Sequence, residues 1–146
     1  MRIVVLSDSH RNVGRLFAAV ERHLDNADLY IFLGDGEDDF DAVIDAYPHI
    51  KYERVCGNCD WYSNYPDKME IEFAGKRIFF SHGHQTIAEA KRRNADIVLF
   101  GHTHNQYTEY LDGLYIMNPG SVGMNGDYGV IDITPKGDIM LIKEHI

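Results

Sequence analysis

Five short apolar runs of strand-like composition are each followed at once by polar residues that can bind a metal ion. The runs begin at Ile3, Tyr30, Tyr52, Ile78 and Ile97. The seven candidate ligands that follow them are Asp8, His10, Asp35, Asn58, His82, His102 and His104. Ligands of open α/β sheets bind beyond the carboxyl ends of the strands. If the runs lie side by side as strands, these side chains share one edge, and we predict a two-metal hydrolytic site there.

Between the first three runs, the apolar residues have the spacing of helices. The first stripe consists of Val13, Leu16, Phe17, Val20 and Leu24, and the second of Phe40, Val43, Ile44 and Tyr47. Both stripes predict helices with one buried face, and Pro48 ends the second. The order strand, helix, strand, helix, strand favours parallel strands with right-handed connections. A third helix is predicted over about residues 86–94, where Ala, Glu, Lys and Arg are frequent.

The last third of the chain changes character. Residues 114–117, 129–134 and 139–142 are strand-like, and a turn is predicted at residues 135–138. An antiparallel hairpin should therefore end the chain. A length of 146 residues is close to the usual size of a single domain, and we predict one domain over residues 1–146.

The charge balance restricts the partners. The chain has 14 Lys and Arg against 23 Asp and Glu, a net charge of -9. Long nucleic acids are not expected, because they bind to basic surfaces. Small anions remain possible, because two divalent cations would add positive charge locally. The densest acidic stretch, formed by Glu37, Asp38, Asp39 and Asp41, is interpreted as a solvated face at a helix start and not as a metal site.

No membrane partner is predicted. The N-terminal apolar run is too short for the core of a signal peptide, and no segment of about 18 apolar residues can span a bilayer. We therefore expect a cytoplasmic location.

Each ligand cluster also has an interpretation without a metal. Asp8 can cap the following helix while His10 lies on a surface turn. For this pair taken alone, that interpretation is as good as metal binding. Gly34-Asp35 is typical of an ordinary turn. His102 and His104 favour ligation, because two neutral imidazoles after a strand suit Zn, Mn, Fe, Co or Ni. The alternative is buried histidine satisfied by the backbone.

Cys56 and Cys59 form a C-x-x-C pattern, which is typical of a redox pair or of half a zinc site. No other cysteine is present, and no helical pattern follows the pair at once. We predict two reduced thiols. A structural zinc site has little support, because the candidate ligands are carboxylates, an amide and imidazoles without a thiolate cage.

The order of these clusters resembles the signature of the calcineurin-like metallophosphoesterases. The matching segments are Asp8-x-His10, Gly34-Asp35, Gly57-Asn58-Cys59-Asp60, Ser81-His82-Gly83 and Gly101-His102-Thr103-His104. The resemblance covers residues 3 to about 123. The short chain, the Gly-Asn-Cys-Asp sequence and Asn118-Pro119-Gly120-Ser121 resemble the small bacterial and archaeal phosphodiesterase branch. The implied fold is α/β, or α+β in some schemes, with two packed mixed β-sheets flanked by helices.

The resemblance also implies roles for the seven ligands. Asp8, His10 and His104 would hold one divalent ion, and Asn58, His82 and His102 the other, while Asp35 bridges them. Mn is the first expectation, with Ni, Co, Zn, Fe or Mg as alternatives. A metal-bridging hydroxide would attack the phosphorus of a small phosphodiester. Asp35 and Asn58 are the predicted catalytic residues, since the Asn58 amide can also orient a phosphoryl oxygen.

One position departs from the broader family. Many members have a histidine after Gly-Asn, where it is thought to protonate the leaving group or steady the phosphate, and this chain has Cys59. We predict that esters with good leaving groups react most readily, because a thiol is a poor substitute for an imidazolium donor. Candidate substrate contacts are Cys59, Arg11 and His84, although structural roles are favoured for His84.

Two other functions fit the same fold. One is a phosphomonoesterase, and the other is a non-catalytic interaction scaffold. The filled ligand positions favour an enzyme, and the scarcity of basic residues beside the motifs favours diesters. An aromatic loop at residues 60–67 can form either a pocket for the leaving group or a subunit contact, so a homo-oligomer is possible.

Overall fold

The computed structural model describes residues 1–83 and 85–146, and it contains two five-stranded mixed sheets. The strands of the first sheet are β1 (Arg2–Leu6), β2 (Leu29–Phe32), β3 (Tyr52–Arg54), β9 (Asp127–Ile133) and β10 (Ile139–His145). Those of the second are β4 (Lys68–Phe73), β5 (Lys76–Ser81), β6 (Ile97–Leu99), β7 (Tyr107–Leu111) and β8 (Leu114–Asn118). The first sheet has the order β10-β9-β1-β2-β3 and the second has the order β4-β5-β6-β8-β7.

The two sheets pack face to face around the main core. Residues of both sheets point inward, and Ile3 and Ile31 of the first sheet lie in one buried cluster with Ile78 and Leu99 of the second. Each of these four side chains is fully buried. Burial of apolar side chains between the sheets stabilises the sandwich by roughly 1.5–3 kcal/mol for each large aliphatic residue.

Helices cover both outer faces. The first sheet is covered by α1 (Val13–Glu21), α2 (Glu37–Ala46) and the short α4 (Val122–Asn125), and the second sheet by α3 (Thr86–Arg92). On the first sheet, Phe40 stacks on Phe32, and Leu16 lies in the same buried cluster. On the second, Ala90 packs in a cluster with Phe79. The predicted fold, two mixed sheets flanked by helices, is confirmed. Over the described residues, every helix is too short or too polar to cross a bilayer.

The parallel core of the first sheet is also confirmed, because β1 pairs with β2 and β2 with β3 in parallel register. The five apolar runs do not all lie side by side in one sheet. The first three runs belong to the first sheet, whereas β5 and β6 are parallel neighbours in the second. Strands buried on both faces have similar apolar sequences in either sheet. The runs alone therefore do not reveal the division.

Other sequence-based boundaries need correction. The first helix ends at Glu21, so Leu24 lies beyond it, and both Val13 and Leu24 are 38% exposed and not part of a buried stripe. The third helix ends at Arg92. The final hairpin is confirmed and pairs β9 with β10 from Ile133 to Asp127.

Candidate metal centre

The candidate ligands lie in loops that leave the ends of β1, β2, β3, β5 and β6. Backbone hydrogen bonds tie these loops together. The N–H of Asp8 donates to the carbonyl of Gly34 at 2.9 Å, and the N–H of His10 donates to the carbonyl of Asp35 at 3.1 Å. The loops after β5 and β6 of the second sheet are joined to each other in the same way, because the N–H of Gly101 donates to the carbonyl of His82 at 2.9 Å. The loops therefore converge on one edge of the sandwich.

Two glycines allow the closest approach. A Cβ atom on Gly57 would lie 2.1 Å from Oδ1 of Asp35, and one on Gly34 would lie 2.3 Å from the nitrogen of Gly57. Both distances are far below van der Waals contact. The sequence-based interpretation of these glycines as sites of close backbone approach agrees with this packing.

Most of the candidate ligands have a strained backbone. The φ angles are 55° at Asp8, 42° at His10, 60° at Asp35, 69° at His102 and 62° at His104. A side chain in the left-handed region costs on the order of 1 kcal/mol, and such residues cluster at functional sites. The left-handed backbone turns these side chains away from the directions that a continuing strand would give them.

Asp8 lies at the centre of the first group of donor atoms. Its Oδ1 atom is 3.3 Å from Nε2 of His10 and 3.2 Å from Nε2 of His104. The two imidazole nitrogens are 3.1 Å apart. All donor atoms of this group lie within 4.8 Å of one another, which is a spacing that one ion can bridge.

Asp35 joins a second group. Its Oδ2 atom is 3.1 Å from Nε2 of His82 and 3.9 Å from Nε2 of His10, and it forms a compact donor group with His82 and His102. Asn58 adjoins the same group, because its Oδ1 atom lies 3.1 Å from Nδ1 of His102. The structure thus brings all seven predicted ligands together. Asp35 lies between the two groups.

The donors fit a metal ion. Asp8 Oδ1 and His82 Nε2 are buried, and despite their close neighbours neither has a hydrogen-bond partner among the described residues. Such atoms are costly unless something satisfies them. The other imidazole nitrogen of His82, Nδ1, is 2.8 Å from the carbonyl oxygen of Leu33. An Nδ1–H that donates to this carbonyl leaves Nε2 free to act as a ligand.

Comparison with known proteins decides the family. A sequence profile of the calcineurin-like phosphoesterase superfamily domain matches residues 1–134. The chain belongs to this superfamily. It is 32% identical over 132 residues to the probable metallophosphoesterase YsnB of Bacillus subtilis, covering 84% of this chain and 75% of YsnB. It is 27% identical over 139 residues to the phosphodiesterase MJ0936 of Methanocaldococcus jannaschii, covering 82% and 83% of the two chains.

A solved structure shows the same fold. Wild-type Vps29 complexed with Zn²⁺, from Entamoeba histolytica, superposes with a TM-score of 0.75 at 18% identity, covering 99% of both chains. This similarity supports the architecture only. The calcineurin-like family is metal-dependent, and the predicted resemblance to it is confirmed.

Asp60 is a functional candidate that the sequence reasoning missed. Its carboxylate accepts four backbone N–H groups, from Asp35 at 2.8 Å, Gly36 at 3.0 Å, Glu37 at 3.0 Å and Gly57 at 2.8 Å. It therefore fastens the loop of Asp35 to the loop of Asn58 at the start of α2. Its position at the end of the Gly-Asn-Cys-Asp segment was the one sequence feature that could have identified it.

The acidic stretch at the start of α2 is only partly a solvated face. Glu37 accepts a hydrogen bond from Ser63 at 2.7 Å. Asp39 accepts one from Ser9 at 2.7 Å and one from the N–H of Arg11 at 2.9 Å. Asp41 pairs with Arg54 at 2.7 Å. These three residues are partly exposed and hydrogen-bonded to partners distant in sequence, whereas Asp38 is exposed. None of the four belongs to a donor group found among the described residues.

Two cavities adjoin the metal centre. One of about 470 Å³ is lined by Asn58, His82, His102, Lys68 and Phe79 among others. The second, of about 210 Å³, is lined by residues that include His10, Arg11, Asp35, Cys59 and Trp61. Of the three predicted substrate contacts, Arg11 and Cys59 thus lie beside the centre. His84 lies outside the described residues.

The centre should make the stability of the metal-free protein depend on pH. Burial alone would raise the pKa of Asp35, but the His82 imidazole and the N–H of Cys59 lower it from 3.8 to about 2. Its stabilising contribution is therefore present above about pH 4 and is lost as the pH falls through 2. Burial alone would lower the pKa of His82, but nearby Asp35 and Asp8 raise it above 6.5. The contribution of His82 is present below pH 6.5 and is lost as the pH rises through its folded pKa.

We therefore expect the chelator-treated protein to be most stable between about pH 4 and 6.5, and its melting temperature to fall as the pH rises above 6.5. Metal-loaded protein should show the opposite trend over this range, because imidazole ligands must be neutral to bind an ion. Thermal melts of both forms across the range provide the measurement. Parallel curves for the two forms would contradict the electrostatic account of the site.

Proposed function

We propose that this protein is a dinuclear metal-dependent phosphodiesterase that acts on small phosphodiesters. The observation that carries the proposal is the position of Asp35, whose carboxylate lies between two groups of donor atoms on converging loops. The names of its relatives give further support, because one is a phosphodiesterase and another is a probable metallophosphoesterase. We propose two divalent ions per chain, with Mn as the first candidate.

The chain offers a distinct ligand set for each ion. Asp8, His10 and His104 would hold the first, Asn58, His82 and His102 the second, and Asp35 would contact both. Divalent ions held there would stabilise the negative charge that builds on phosphoryl oxygens during displacement, and would make water a stronger nucleophile at neutral pH.

The second oxygen of Asp8 has a separate task. Its Oδ2 atom accepts a hydrogen bond from the hydroxyl of Ser7 at 2.6 Å and one from the N–H of His102 at 3.1 Å. The carboxylate is therefore held in one orientation, and Oδ1 points toward the histidines. This preorganisation avoids rearrangement of the site when substrate binds.

Asn58 would contact substrate. Its side chain is exposed at the edge of the larger cavity, and its Oδ1 atom faces His102. The amide nitrogen can then donate to a phosphoryl oxygen and orient phosphorus for attack. No imidazole stands at position 59 to protonate the leaving group. Substrates whose leaving groups need no protonation should therefore react fastest.

The charges beside the centre favour diesters over monoesters. A phosphomonoester carries an additional negative charge and gains from extra cationic contacts. In the described parts of the two cavities, the basic side chains are Arg11 and Lys68, and Lys68 lies 3.3 Å from Glu89. This small positive charge matches the single charge of a diester better.

The direct test is a hydrolysis panel. Metal-stripped protein is resupplied separately with Mn, Ni, Co, Zn and Mg, and offered aryl diesters, alkyl diesters and monoesters. We expect no turnover without metal, the highest turnover with Mn, and faster cleavage of aryl than of alkyl diesters. Preferred cleavage of monoesters would overturn the diester assignment. Equal rates for aryl and alkyl diesters would contradict the leaving-group argument.

An interaction scaffold is the second candidate. It is supported by exposed aromatic side chains beside the centre, because Trp61 is 80% exposed and Tyr62 is fully exposed. Such residues are frequent anchors of protein contacts. Silence of every metal and substrate pairing in the panel would favour this function over catalysis.

A further inference from the structure

We propose that Cys59 is an additional, sulfur ligand of the ion held by Asp8, His10 and His104. The inference rests on the proposed metal centre and extends its ligand set beyond the seven residues. The Sγ atom of Cys59, a ring nitrogen of His10 and a carboxylate oxygen of Asp35 all lie within 4.8 Å of one another. His10 also belongs to the group of Asp8 and His104, so the thiol faces the first ion and not a separate site.

The backbone fixes the position of Cys59. Its N–H donates to Oδ1 of Asp35 at 2.8 Å, and the amide of Asn58 lies 3.7 Å from Sγ. The carboxylate of Asp60 fastens the same loop through the N–H of Gly57. Although the Cys59 residue is exposed, its main chain is thus bonded to the candidate bridging carboxylate. The thiol is held at the centre by the loop that carries Asn58.

A second observation points to a cation at this place. Asp8 Oδ1 is fully buried, has no hydrogen-bond partner among the residues that the structure describes, and lies 3.3 Å from Nε2 of the same His10 that adjoins the thiol. A buried carboxylate oxygen without a partner needs a compensating charge. An ion that satisfies Asp8 and His10 would lie beside the Cys59 sulfur as well.

A sulfur ligand changes which metals the site prefers. Thiolate favours thiophilic ions such as cadmium, zinc and cobalt, whereas magnesium prefers oxygen ligands. Cys59 should therefore raise the affinity for thiophilic ions more than the affinity for magnesium. On binding of the ion, the thiol of Cys59 would release its proton to solvent and bind the ion as a thiolate.

The test uses cobalt as a spectroscopic probe. Full-length protein, stripped and reloaded with Co²⁺, is compared with the Cys59→Ser and Cys56→Ser variants. Cys56 is a matched control, because it is the other thiol of the same loop and belongs to none of the donor groups found among the described residues. We expect a near-ultraviolet sulfur-to-cobalt charge-transfer band in wild type and in Cys56→Ser, and loss of the band in Cys59→Ser.

Competition titrations provide the second readout. Cys59→Ser should lower cadmium affinity on the order of 10-fold or more and change magnesium affinity much less, because the lost donor is a soft ligand. A band that persists in Cys59→Ser, or that is missing from wild type with cobalt bound, would overturn the inference. Metal-dependent hydrolysis in the panel would then still support the proposed function. Failure of cobalt to bind at all would also overturn the inference, whereas the proposed function would fall only if the other metals of the panel gave no hydrolysis either.

Discussion

Replacement of Asp35 by asparagine should lower kcat/KM for an aryl phosphodiester by more than about 100-fold. Even the loss of a residue that only hydrogen-bonds to a metal ligand lowers metal affinity or activity by about 10–100-fold, and Asp35 is itself a proposed ligand. Asp35 has the largest expected effect because its carboxylate adjoins both donor groups. Asparagine keeps the size of the side chain and tolerates the φ of 60°. The loss should therefore report on the missing charge and not on a damaged fold.

The measurement combines steady-state kinetics at saturating Mn with metal analysis of the dialysed protein. Asp45→Asn is the control, because Asp45 is an exposed aspartate in α2 outside the donor groups. We expect wild-type turnover for Asp45→Asn and reduced metal content for Asp35→Asn. Full turnover of both Asp35→Asn and Asp35→Ala would remove the bridging role.

Replacement of Asp60 by asparagine has the second largest expected effect, and it should act on both stability and metal binding. The carboxylate accepts four backbone N–H groups, whereas an asparagine amide has one oxygen and must turn its own N–H groups toward some of these donors. A hydrogen bond to a charged group contributes about 1.5–3 kcal/mol. Because more than one of the four bonds is weakened or lost, we expect the free energy of unfolding to fall by at least about 2 kcal/mol.

Metal affinity should fall with stability, because Asp60 positions the loops of Asp35 and Asn58. We expect Mn affinity to drop roughly 10–100-fold, which is the usual effect of removing a residue that orients metal ligands. Urea unfolding of the stripped protein and calorimetric Mn titration measure the two effects. Asp38→Asn, an exposed change in the first turn of the same helix, should stay within about 0.5 kcal/mol. A stable Asp60→Asn protein with unchanged Mn affinity would contradict the positioning role.

The strand and helix order was predictable where burial is one-sided or complete. The apolar runs and stripes predicted β1 to β3 with α1 and α2 between them. The strand β4 is an exception, because its inward residues alternate with the exposed Lys68, Glu70 and Glu72 and it lacks the continuous apolar run by which β1 and β2 were recognised. The division into two sheets was not visible in the runs, because it depends on pairing between distant strands.

The site was predictable in its residue types but not in its backbone. Side chains of types that can bind metals follow the apolar runs, and their order resembles the signature of the family. The left-handed conformations at Asp8 and His102, and the four N–H groups converging on Asp60, depend on how distant loops meet. The partners of Asp39 and Asp41 depend on the same convergence, which is why those acids were interpreted as solvated.

Anomalous diffraction from crystals of the Mn-loaded protein tests the central claim most directly. We expect two Mn peaks per chain about 3.5–4 Å apart, the usual separation in two-metal hydrolytic sites. Asp35 should contact both peaks, with Asp8, His10 and His104 around one, and Asn58, His82 and His102 around the other. A single peak in fully loaded crystals, or two peaks that do not share Asp35, would contradict the account.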